Sequence, residues 1–377
     1  MFERPSGGTA AVLVSLDFGS PGYAETLEEL KLLVASAGIE TRALVVGRRD
    51  RPDPARFAGT GKVEEIKRAL EEYGARLAVF NHDLSPAQER NLEKALDARV
   101  MDRTRLILDI FAQRAKSHEG KLQVELAHLE HAATRLVRGW THLERQRGGR
   151  GFLGGMGETQ LEVDRRLIGN RVKVLKEKLI RLQRQRTVQR RARTRGKTLS
   201  VSLVGYTNAG KSTLFNCLTH AGAIAADRLF ETLDTTTRRI YLPEAGNIVI
   251  SDTVGFIRDL PHTLVAAFRA TLEETVQADL LLHVVDASSE ARDMQIEEVN
   301  KVLAEIDADS IPQVLVWNKI DLTEAGPGAD RDEYGKIRRV RLSAKTGDGV
   351  DFLRQTLIEA AASKTSPAIQ QEQAFQL

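Results

Sequence analysis

The feature that most constrains this fold is a short glycine-containing loop between a strand pattern and a helical pattern. Residues 199–204 form an apolar run typical of a buried strand, and a helical pattern opens at Lys211. The loop and the first helical residues are Gly205, Tyr206, Thr207, Asn208, Ala209, Gly210, Lys211, Ser212 and Thr213. This spacing of Gly, Lys and Ser between a strand and a helix is the pattern of a phosphate-binding loop, or P-loop. It predicts an α/β domain with a doubly wound, mostly parallel sheet.

The residue types of this loop suit a phosphate chain with its metal ion. Glycines let the backbone curl around a phosphate, and free N–H groups at the helix start point towards it. We expect Lys211 to reach the β- and γ-phosphates and the Ser212 hydroxyl to bind Mg²⁺. The other motifs decide which nucleotide is bound.

A second motif follows the strand pattern at residues 247–251 and consists of Asp252, Thr253, Val254 and Gly255. We expect the Asp252 carboxylate to reach Mg²⁺ through a bound water and the Gly255 N–H to contact the γ-phosphate. Loss of that phosphate would release the loop, which is how nucleotide switches work. Four residues of this form are a weak signal alone, and their place after the P-loop and a strand makes them informative.

Two further motifs select guanine. They are Asn318, Lys319, Ile320 and Asp321, and then Ser343, Ala344 and Lys345. The Asp321 carboxylate can accept both N1–H and N2–H₂ of guanine, a donor pair that adenine lacks. We expect Lys319 to lie along the base, Asn318 to tie the loops together, and the Ala344 N–H to reach the guanine O6. The order and spacing of the four motifs predict a GTPase that binds GTP and GDP.

The segment between the P-loop and Asp252 should complete the metal site with a threonine. It contains Phe230, Glu231, Thr232, Leu233 and Asp234, followed by three more threonines and Arg238. The residue types alone leave four candidates, Thr232, Thr235, Thr236 and Thr237.

One expected residue is missing from the second motif. A Ras-like site has a glutamine directly after the glycine to orient the attacking water, and here that position is Phe256. An apolar side chain cannot orient water, so we expect slow intrinsic hydrolysis and a partner that stimulates it.

The rest of the chain divides by pattern into three further parts. Residues 1–114 alternate strand and helical patterns and predict a small α/β domain. Residues 115–196 carry two heptad seams around a glycine-rich segment, 148–157, which predicts an antiparallel two-helix hairpin with a glycine-rich tip. The GTPase domain should span 197–362, and the polar, Gln-rich residues 363–377 predict a disordered tail.

Charge is strongly segregated along the chain. Residues 171–197 contain twelve Lys or Arg residues and a single acid, Glu177, whereas the whole chain has a net charge of +3. A basic stripe on an otherwise acidic protein indicates a polyanionic partner such as nucleic acid. The sequence contains one cysteine, Cys217, and neither a signal pattern nor an apolar run long enough to span a bilayer, so we expect a cytoplasmic protein. We also expect a monomer.

Longer patterns resemble the HflX family of translational GTPases over about residues 10–362. They comprise Asp102-Arg103-Thr104, Phe111-Ala112-Gln113-Arg114-Ala115, the run 118–127, Gly157-Glu158-Thr159-Gln160-Leu161-Glu162 with Asp164-Arg165-Arg166, and Phe230-x-Thr232-Leu233-Asp234-x-Thr236-Thr237-Arg238. The resemblance implies binding to the 50S ribosomal subunit through the basic hairpin and the N-terminal domain, and splitting or rescue of stalled 70S ribosomes. It also implies that Thr232 is the Mg²⁺ threonine, which would make Lys211, Thr232 and Gly255 the catalytic residues.

Two other functions stay open on the residues alone. The chain could be an RNA-binding switch in ribosome assembly or RNA regulation, in which hydrolysis is only a timer. It could also be a scaffold whose hairpin dimerises through its seams.

Overall fold

The computed structural model of the protein describes residues 9–19, 22–138, 160–194, 198–219, 229–261, 264–265 and 268–365. The chain divides into two compact units, one within residues 1–180 and 261–267 and the other within residues 181–260 and 268–377. One boundary between them falls inside a long helix, away from the boundaries that the sequence pattern suggested. The predicted three-part division therefore stays a prediction.

The first unit contains a four-stranded parallel sheet in the order β2-β1-β3-β4. Its elements are β1 (Ala10–Asp17), α1 (Tyr23–Ser36), β2 (Glu40–Arg48), α2 (Thr60–Glu72), β3 (Leu77–Phe80), α3 (Pro86–Leu96), β4 (Arg99–Met101), α4 (Arg103–Arg114), α5 (His118–Arg138) and the first part of α6 (Gln160–Thr194). Residues 11–16 of β1 are all buried, because a central parallel strand is covered on both faces.

The sequence patterns located these strands and helices well where a local signal exists. The Ser85-Pro86 pair starts α3: Ser85 accepts a hydrogen bond from the Gln88 N–H at 3.2 Å, and the Gln88 side chain accepts one from the Ser85 N–H at 3.0 Å. This reciprocal pair is a capping box, which satisfies two N–H groups at the helix start.

A buried ionic network that sequence reasoning missed joins three helices of this unit. Asp102 is 1% exposed, caps α4 by accepting from the Arg105 N–H at 2.9 Å, and contacts the Arg135 guanidinium of α5. Arg135 also contacts Glu89 of α3. The partners come from distant parts of the chain, and their buried charges stabilise the packing only while they stay paired.

Helices α5 and α6 are joined by two ion pairs, Glu125 with Arg171 at 2.7 Å and Glu130 with Lys176 at 2.8 Å. Leu126 and Leu175, which lie on the two predicted seams, are both buried. Residues 139–159, which include the glycine-rich segment 148–157, lie outside the described residues. The antiparallel direction of the hairpin therefore stays a prediction.

The second unit contains a seven-stranded sheet in the order β10-β11-β9-β8-β5-β7-β6. Besides the end of α6, its elements are β5 (Leu199–Gly205), α7 (Lys211–Thr219), β6 (Thr236–Leu242), β7 (Gly246–Asp252), α8 (Arg269–Val276), β8 (Leu280–Asp286), α9 (Arg292–Glu305), β9 (Gln313–Asn318), a 3-10 turn (Ile320–Leu322), β10 (Gly328–Arg331), β11 (Ile337–Arg341) and α10 (Val350–Thr365). The five strands from β11 to β7 are parallel, while β10 and β6 are antiparallel at the two edges. The predicted mixed α/β class with a parallel-rich sheet is confirmed.

Two local expectations for this unit need correction. Strand β10 was not predicted, because its four residues, Gly-Ala-Asp-Arg, carry no alternating apolar pattern. Helix α10 continues through Thr365, so the first three residues of the predicted tail are helical, and residues 366–377 lie outside the described residues. No helix in the described ranges combines the length and the apolar composition needed to cross a bilayer.

We predict that Asp102→Ala lowers the free energy of unfolding by about 3–5 kcal/mol, because it leaves the Arg135 charge buried with one partner fewer and removes the cap of α4. Urea unfolding followed by circular dichroism measures the change. The control is Glu72→Ala, which removes an exposed acid on α2 and should change stability by no more than about 0.5 kcal/mol. Equal effects of the two substitutions would contradict the role given to Asp102.

Candidate nucleotide site

The P-loop follows β5 and requires unusual backbone conformations at three of its residues. Gly205 has φ 147°, and a Cβ there would lie 2.2 Å from the carbonyl oxygen of Val284 on β8. Asn208 has φ 61° and Gly210 has φ 91°. A side chain at position 205 would push β5 away from β8, so only glycine fits the point where the strand turns into the loop.

Lys211 lies at the centre of this loop, at the first position of α7. Its side chain is buried, and its Nζ donates to the backbone carbonyls of Gly205 at 3.1 Å and Tyr206 at 2.7 Å. Burial lowers the pKa of the Lys211 ammonium to about 8, and the nearby Asp252 carboxylate opposes that shift. The loop therefore holds a cation that is poorly solvated and that an anionic phosphate would stabilise.

Three oxygen-bearing side chains meet next to this lysine. The Ser212 hydroxyl donates to Asp252 Oδ2 at 2.8 Å, the Thr232 hydroxyl donates to the same oxygen at 2.8 Å, and the two hydroxyl oxygens are 2.9 Å apart. The other Asp252 oxygen, Oδ1, is buried without a hydrogen-bond partner among the described residues. Burial raises the pKa of Asp252, and the hydrogen bonds from Thr232 and Ser212 oppose that rise.

This oxygen cluster fits the metal ion that the sequence predicts. Mg²⁺ prefers hard oxygen ligands and keeps several waters, and the unpaired Asp252 oxygen can accept from one of those waters. Ser212 and Thr232 would contribute the direct hydroxyl ligands. Of the four threonine candidates, Thr232 is the one whose hydroxyl reaches Ser212 and Asp252, whereas the Thr237 hydroxyl lies 3.0 Å from that of Ser251.

Two buried apolar residues flank Thr232. Phe230 is 2% exposed and has φ 53°, and Leu233 is 1% exposed. Glu231 lines the phosphate cleft, and Asp234 is half-buried. Two buried apolar side chains on either side of Thr232 fix the direction in which its hydroxyl points.

The Asp-x-x-Gly segment begins at the end of β7 and runs alongside the P-loop. The Thr253 hydroxyl donates to the Leu203 carbonyl at 2.6 Å, and Val254 is buried. A Cβ on Gly255 would lie 2.9 Å from Lys211 Nζ. Because Gly255 is this close to the lysine, its backbone lies where a γ-phosphate bound by Lys211 would be sensed.

Asn318 connects the phosphate half of the site with the guanine half. Its side-chain amide donates to the Ala209 carbonyl at 2.9 Å and accepts from the Ala344 N–H at 2.9 Å. The predicted role of Asn318 as the tie between loops matches these contacts. The Ala344 N–H is engaged by Asn318, so its expected contact with the guanine O6 stays a prediction.

The remaining guanine-motif residues cluster around two carboxylates. Asp321 Oδ1 accepts from the Ser343 hydroxyl at 2.7 Å, which orients that carboxylate. The Lys319 ammonium donates to Asp286 at the end of β8, at 2.7 Å. Ile320 is buried and Lys345 is exposed.

Sequence reasoning missed Asp286, although one signal pointed to it. Asp286 directly follows the mostly apolar run 280–285, which is typical of a strand, and the carboxyl ends of parallel strands share one edge of a sheet. Lys319 has φ 64°, a left-handed conformation that the ion pair with Asp286 helps to hold.

The residues that line the phosphate cleft all come from the P-loop, the Asp-x-x-Gly motif and the threonine segment. They are Thr207, Asn208, Gly210, Lys211, Ser212, Thr213, Phe230, Glu231, Thr232, Thr253 and Gly255. The two guanine motifs, with Asp321 and Ser343, do not line that cleft. They are linked to it through Asn318, which contacts both Ala209 and Ala344.

Three family models match the chain in succession. The model described as GTP-binding GTPase N-terminal matches residues 24–112, the one described as GTP-binding GTPase Middle Region matches residues 114–193, and the one described as 50S ribosome-binding GTPase matches residues 200–319. A solved structure, described as SsGBP in complex with GDP, aligns over 94% of this chain and 98% of that chain with a TM-score of 0.52 and 24% identity. This likeness supports the fold.

We predict that Thr232→Ala lowers the rate of GTP hydrolysis by about 10²-fold, because a metal-binding hydroxyl that positions the γ-phosphate is lost. The matched control is Thr236→Ala, which removes an exposed threonine hydroxyl at the start of β6. Phosphate release is measured for both variants over a range of Mg²⁺ concentrations. A larger loss of hydrolysis rate in Thr236→Ala than in Thr232→Ala would contradict the choice of Thr232 as the Mg²⁺ ligand.

A second prediction follows from the lowered pKa of Lys211, about 8. A bound phosphate stabilises the charged ammonium and raises this pKa, so GDP binding at pH 8.5 should take up a proton, and affinity should fall as the pH rises above about 8. At pH 6.5 Lys211 is already protonated, so it takes up no further proton when GDP binds. Calorimetry in buffers of different ionisation enthalpy measures the proton, and equal uptake at both pH values would contradict the prediction.

Curated relatives extend the match over nearly the whole chain. The GTPase HflX of Escherichia coli strain K12 is 56% identical over 97% of this chain and 86% of its own length. The protein of the same name from Magnetococcus marinus is 52% identical over 89% of this chain and 77% of its own length. Identity at this level and coverage, together with a nucleotide site built from all four motifs, shows that this chain is a GTPase and belongs to the HflX family.

Proposed function

We propose that this GTPase binds the large (50S) ribosomal subunit and separates the subunits of stalled or idle 70S ribosomes while it converts GTP to GDP and phosphate. The observation that carries the proposal is the exposed basic surface of α6. The family model described as 50S ribosome-binding GTPase, which matches residues 200–319, supports the choice of partner.

The exposed cations of α6 suit a phosphate backbone. Lys173, Lys178, Arg181 and Arg184 are exposed and form no ion pair with any described residue. Arg171 and Lys176, by contrast, are paired with acids of α5. Cations that pair with no described residue are available to replace the counterions of RNA, and release of those counterions makes binding salt-dependent.

Few aromatic residues accompany these cations, since Phe, Tyr and Trp make up 5% of the chain. Recognition by stacking on unpaired bases needs aromatic platforms. Contacts with phosphates and with RNA shape therefore fit this surface better, and large folded ribosomal RNA offers both.

Within the nucleotide site the proposed roles follow from the contacts. Lys211 neutralises charge on the β- and γ-phosphates, the Gly255 N–H contacts the γ-phosphate, and Asp321 selects guanine. Mg²⁺ held by Ser212 and Thr232 would neutralise further charge on the phosphate oxygens. Loss of the γ-phosphate would free Gly255 and Thr232, so the surfaces around these loops report the nucleotide state.

Slow hydrolysis without a partner also fits the structure. Phe256 is fully buried, so the side chain at the position of the usual glutamine does not reach the nucleotide cleft. A large partner that contacts the loops around Gly255 could order the water more firmly and thereby accelerate hydrolysis.

The test is co-sedimentation of the protein with purified 50S, 30S and 70S particles in the presence of GDP, GTP or a non-hydrolysable GTP analogue. We expect binding to 50S with the triphosphate, stimulated phosphate release by 50S, and a fall in light scattering as 70S particles dissociate. Stimulation by another RNA but not by 50S would replace the ribosome with that RNA as the partner.

A charge substitution tests the surface itself. Replacing Lys173, Lys178 and Arg184 with glutamine should weaken 50S binding and lower the slope of log K against log salt by about 0.7–0.9 per lost phosphate contact. The control replaces three exposed cations of the second unit, Lys301, Lys336 and Arg338, with glutamine. This variant should leave the slope of log K against log salt unchanged. An unchanged slope in the α6 variant would show that α6 does not contact the RNA.

A further inference from the structure

GTP hydrolysis needs a water molecule in line with the bond that breaks, and the usual side chain for this purpose is absent. Phe256 follows Gly255, is fully buried and carries no group that could hydrogen-bond water. Since this chain is a GTPase, some other group near Gly255 must hold the water in position.

Thr207 of the P-loop carries a hydroxyl group, which can hydrogen-bond a water molecule. The residue is 6% exposed, and its Oγ1 is buried without a hydrogen-bond partner among the described residues. A buried hydroxyl without a partner costs free energy that an isosteric valine would avoid. The hydroxyl is explained if its partner arrives with the nucleotide.

Thr207 lies at the γ-phosphate end of the cleft. A Cβ on Gly255 would lie 2.9 Å from the Thr207 methyl carbon, Cγ2, and 2.9 Å from Lys211 Nζ, so Gly255 is in close contact with the lysine and with the methyl end of Thr207. A rotation of about 120° about the Thr207 Cα–Cβ bond, to another staggered rotamer, would place the hydroxyl where the methyl group now lies. Thr207 also lines the same cleft as Ser212 and Thr232. A water that attacks the γ-phosphorus from the Gly255 side would therefore pass within reach of the Thr207 side chain.

The backbone around Thr207 is tied to the segment that follows Gly255. The Thr207 N–H donates to the Phe256 carbonyl at 2.7 Å, and the Phe256 N–H donates to the Gly205 carbonyl at 3.1 Å. The Tyr206 hydroxyl accepts from the Arg258 N–H at 2.8 Å. These three bonds hold Thr207 and Gly255 in one fixed geometry, which a group that orients water requires.

We propose that the Thr207 hydroxyl orients the attacking water. Its oxygen accepts a hydrogen bond from the water, and its own hydrogen is donated to a γ-phosphate oxygen. The water oxygen forms a bond to the γ-phosphorus while the bond from that phosphorus to the β–γ bridging oxygen breaks, and the electron pair of that bond stays on GDP. The water proton passes to a γ-phosphate oxygen, so Thr207 is neither ionised nor consumed.

The experiment compares Thr207→Val, which keeps the shape and removes the hydroxyl, with Thr207→Ser, which keeps the hydroxyl. Single-turnover hydrolysis of GTP is measured without ribosomes or RNA, so a negative result is distinct from failure of the ribosome proposal. The control is Thr356→Val, the same chemical change at a buried residue of α10 whose hydroxyl donates to the Phe352 carbonyl at 2.8 Å.

We expect Thr207→Val to slow hydrolysis by about 10²-fold, as loss of a group that positions a reactant does, while Thr207→Ser and Thr356→Val stay within about threefold of the unchanged protein. The dissociation constant for GDP, which lacks the γ-phosphate, should change by no more than about twofold in Thr207→Val. The dissociation constant for a non-hydrolysable GTP analogue should change much less than the hydrolysis rate, because the hydroxyl acts mainly in the transition state.

Three results would overturn the proposal. An unchanged rate in Thr207→Val would show that the hydroxyl takes no part. A loss of analogue affinity as large as the loss of rate would show that the hydroxyl only binds phosphate in the ground state. A serine variant as slow as the valine variant would show that the methyl group, through packing, accounts for the effect.

Discussion

The two hydrogen bonds of the Asn318 side chain hold the nucleotide site together. One end of its amide donates to Ala209 in the P-loop and the other accepts from Ala344 in the last guanine loop, and the residue is 2% exposed. Buried polar groups of this kind must be fully paired, so moving either loop would leave the other half of the amide without a partner. The close approach also limits the P-loop itself, since a Cβ on Gly210 would lie 2.2 Å from the Asn318 amide nitrogen.

The polar groups of the site form hydrogen bonds with one another that a bound nucleotide can replace. Lys211 donates to carbonyls of its own loop, and the Ser212 and Thr232 hydroxyls donate to Asp252. A nucleotide with its metal ion would replace these contacts with stronger, charge-assisted ones. Lys211, Ser212 and Thr232 already line the cleft, so little rearrangement of the backbone is needed, and less of the binding free energy is spent on ordering the loops.

Most of the site could be predicted from the sequence because its motifs are short and local. A glycine that must turn a strand into a helix, or an acid that must follow a strand, is visible within a few residues. The choice of Thr232 among four threonines is different, since it depends on which hydroxyl folds back against Ser212 and Asp252, residues distant in the chain. The residues alone left that choice open, and the family resemblance pointed to the threonine that has these contacts.

The fold shows the same division between local and long-range information. Most strands of both sheets follow apolar patterns, whereas the three residues of β4 and the four residues of β10 are too short to show one, and both strands were missed. The contacts of Asp102 with Arg135, and of Arg135 with Glu89, bring together residues from three helices, and none of these side chains has a neighbour in sequence that would reveal its partner. The boundaries between the compact units likewise depend on packing, so they could not be predicted from the amino-acid composition along the chain.

Strand β6 has a consequence for the behaviour of the protein at high concentration. It lies at one edge of the seven-stranded sheet, and the side chains of Thr236, Arg238 and Arg239 along it are exposed. An open strand edge can recruit a strand from another molecule and seed aggregation, and cationic side chains on such an edge oppose that pairing by mutual repulsion. The two arginines therefore protect the sheet from intermolecular β-pairing, and a variant with apolar residues at both positions would be prone to self-association.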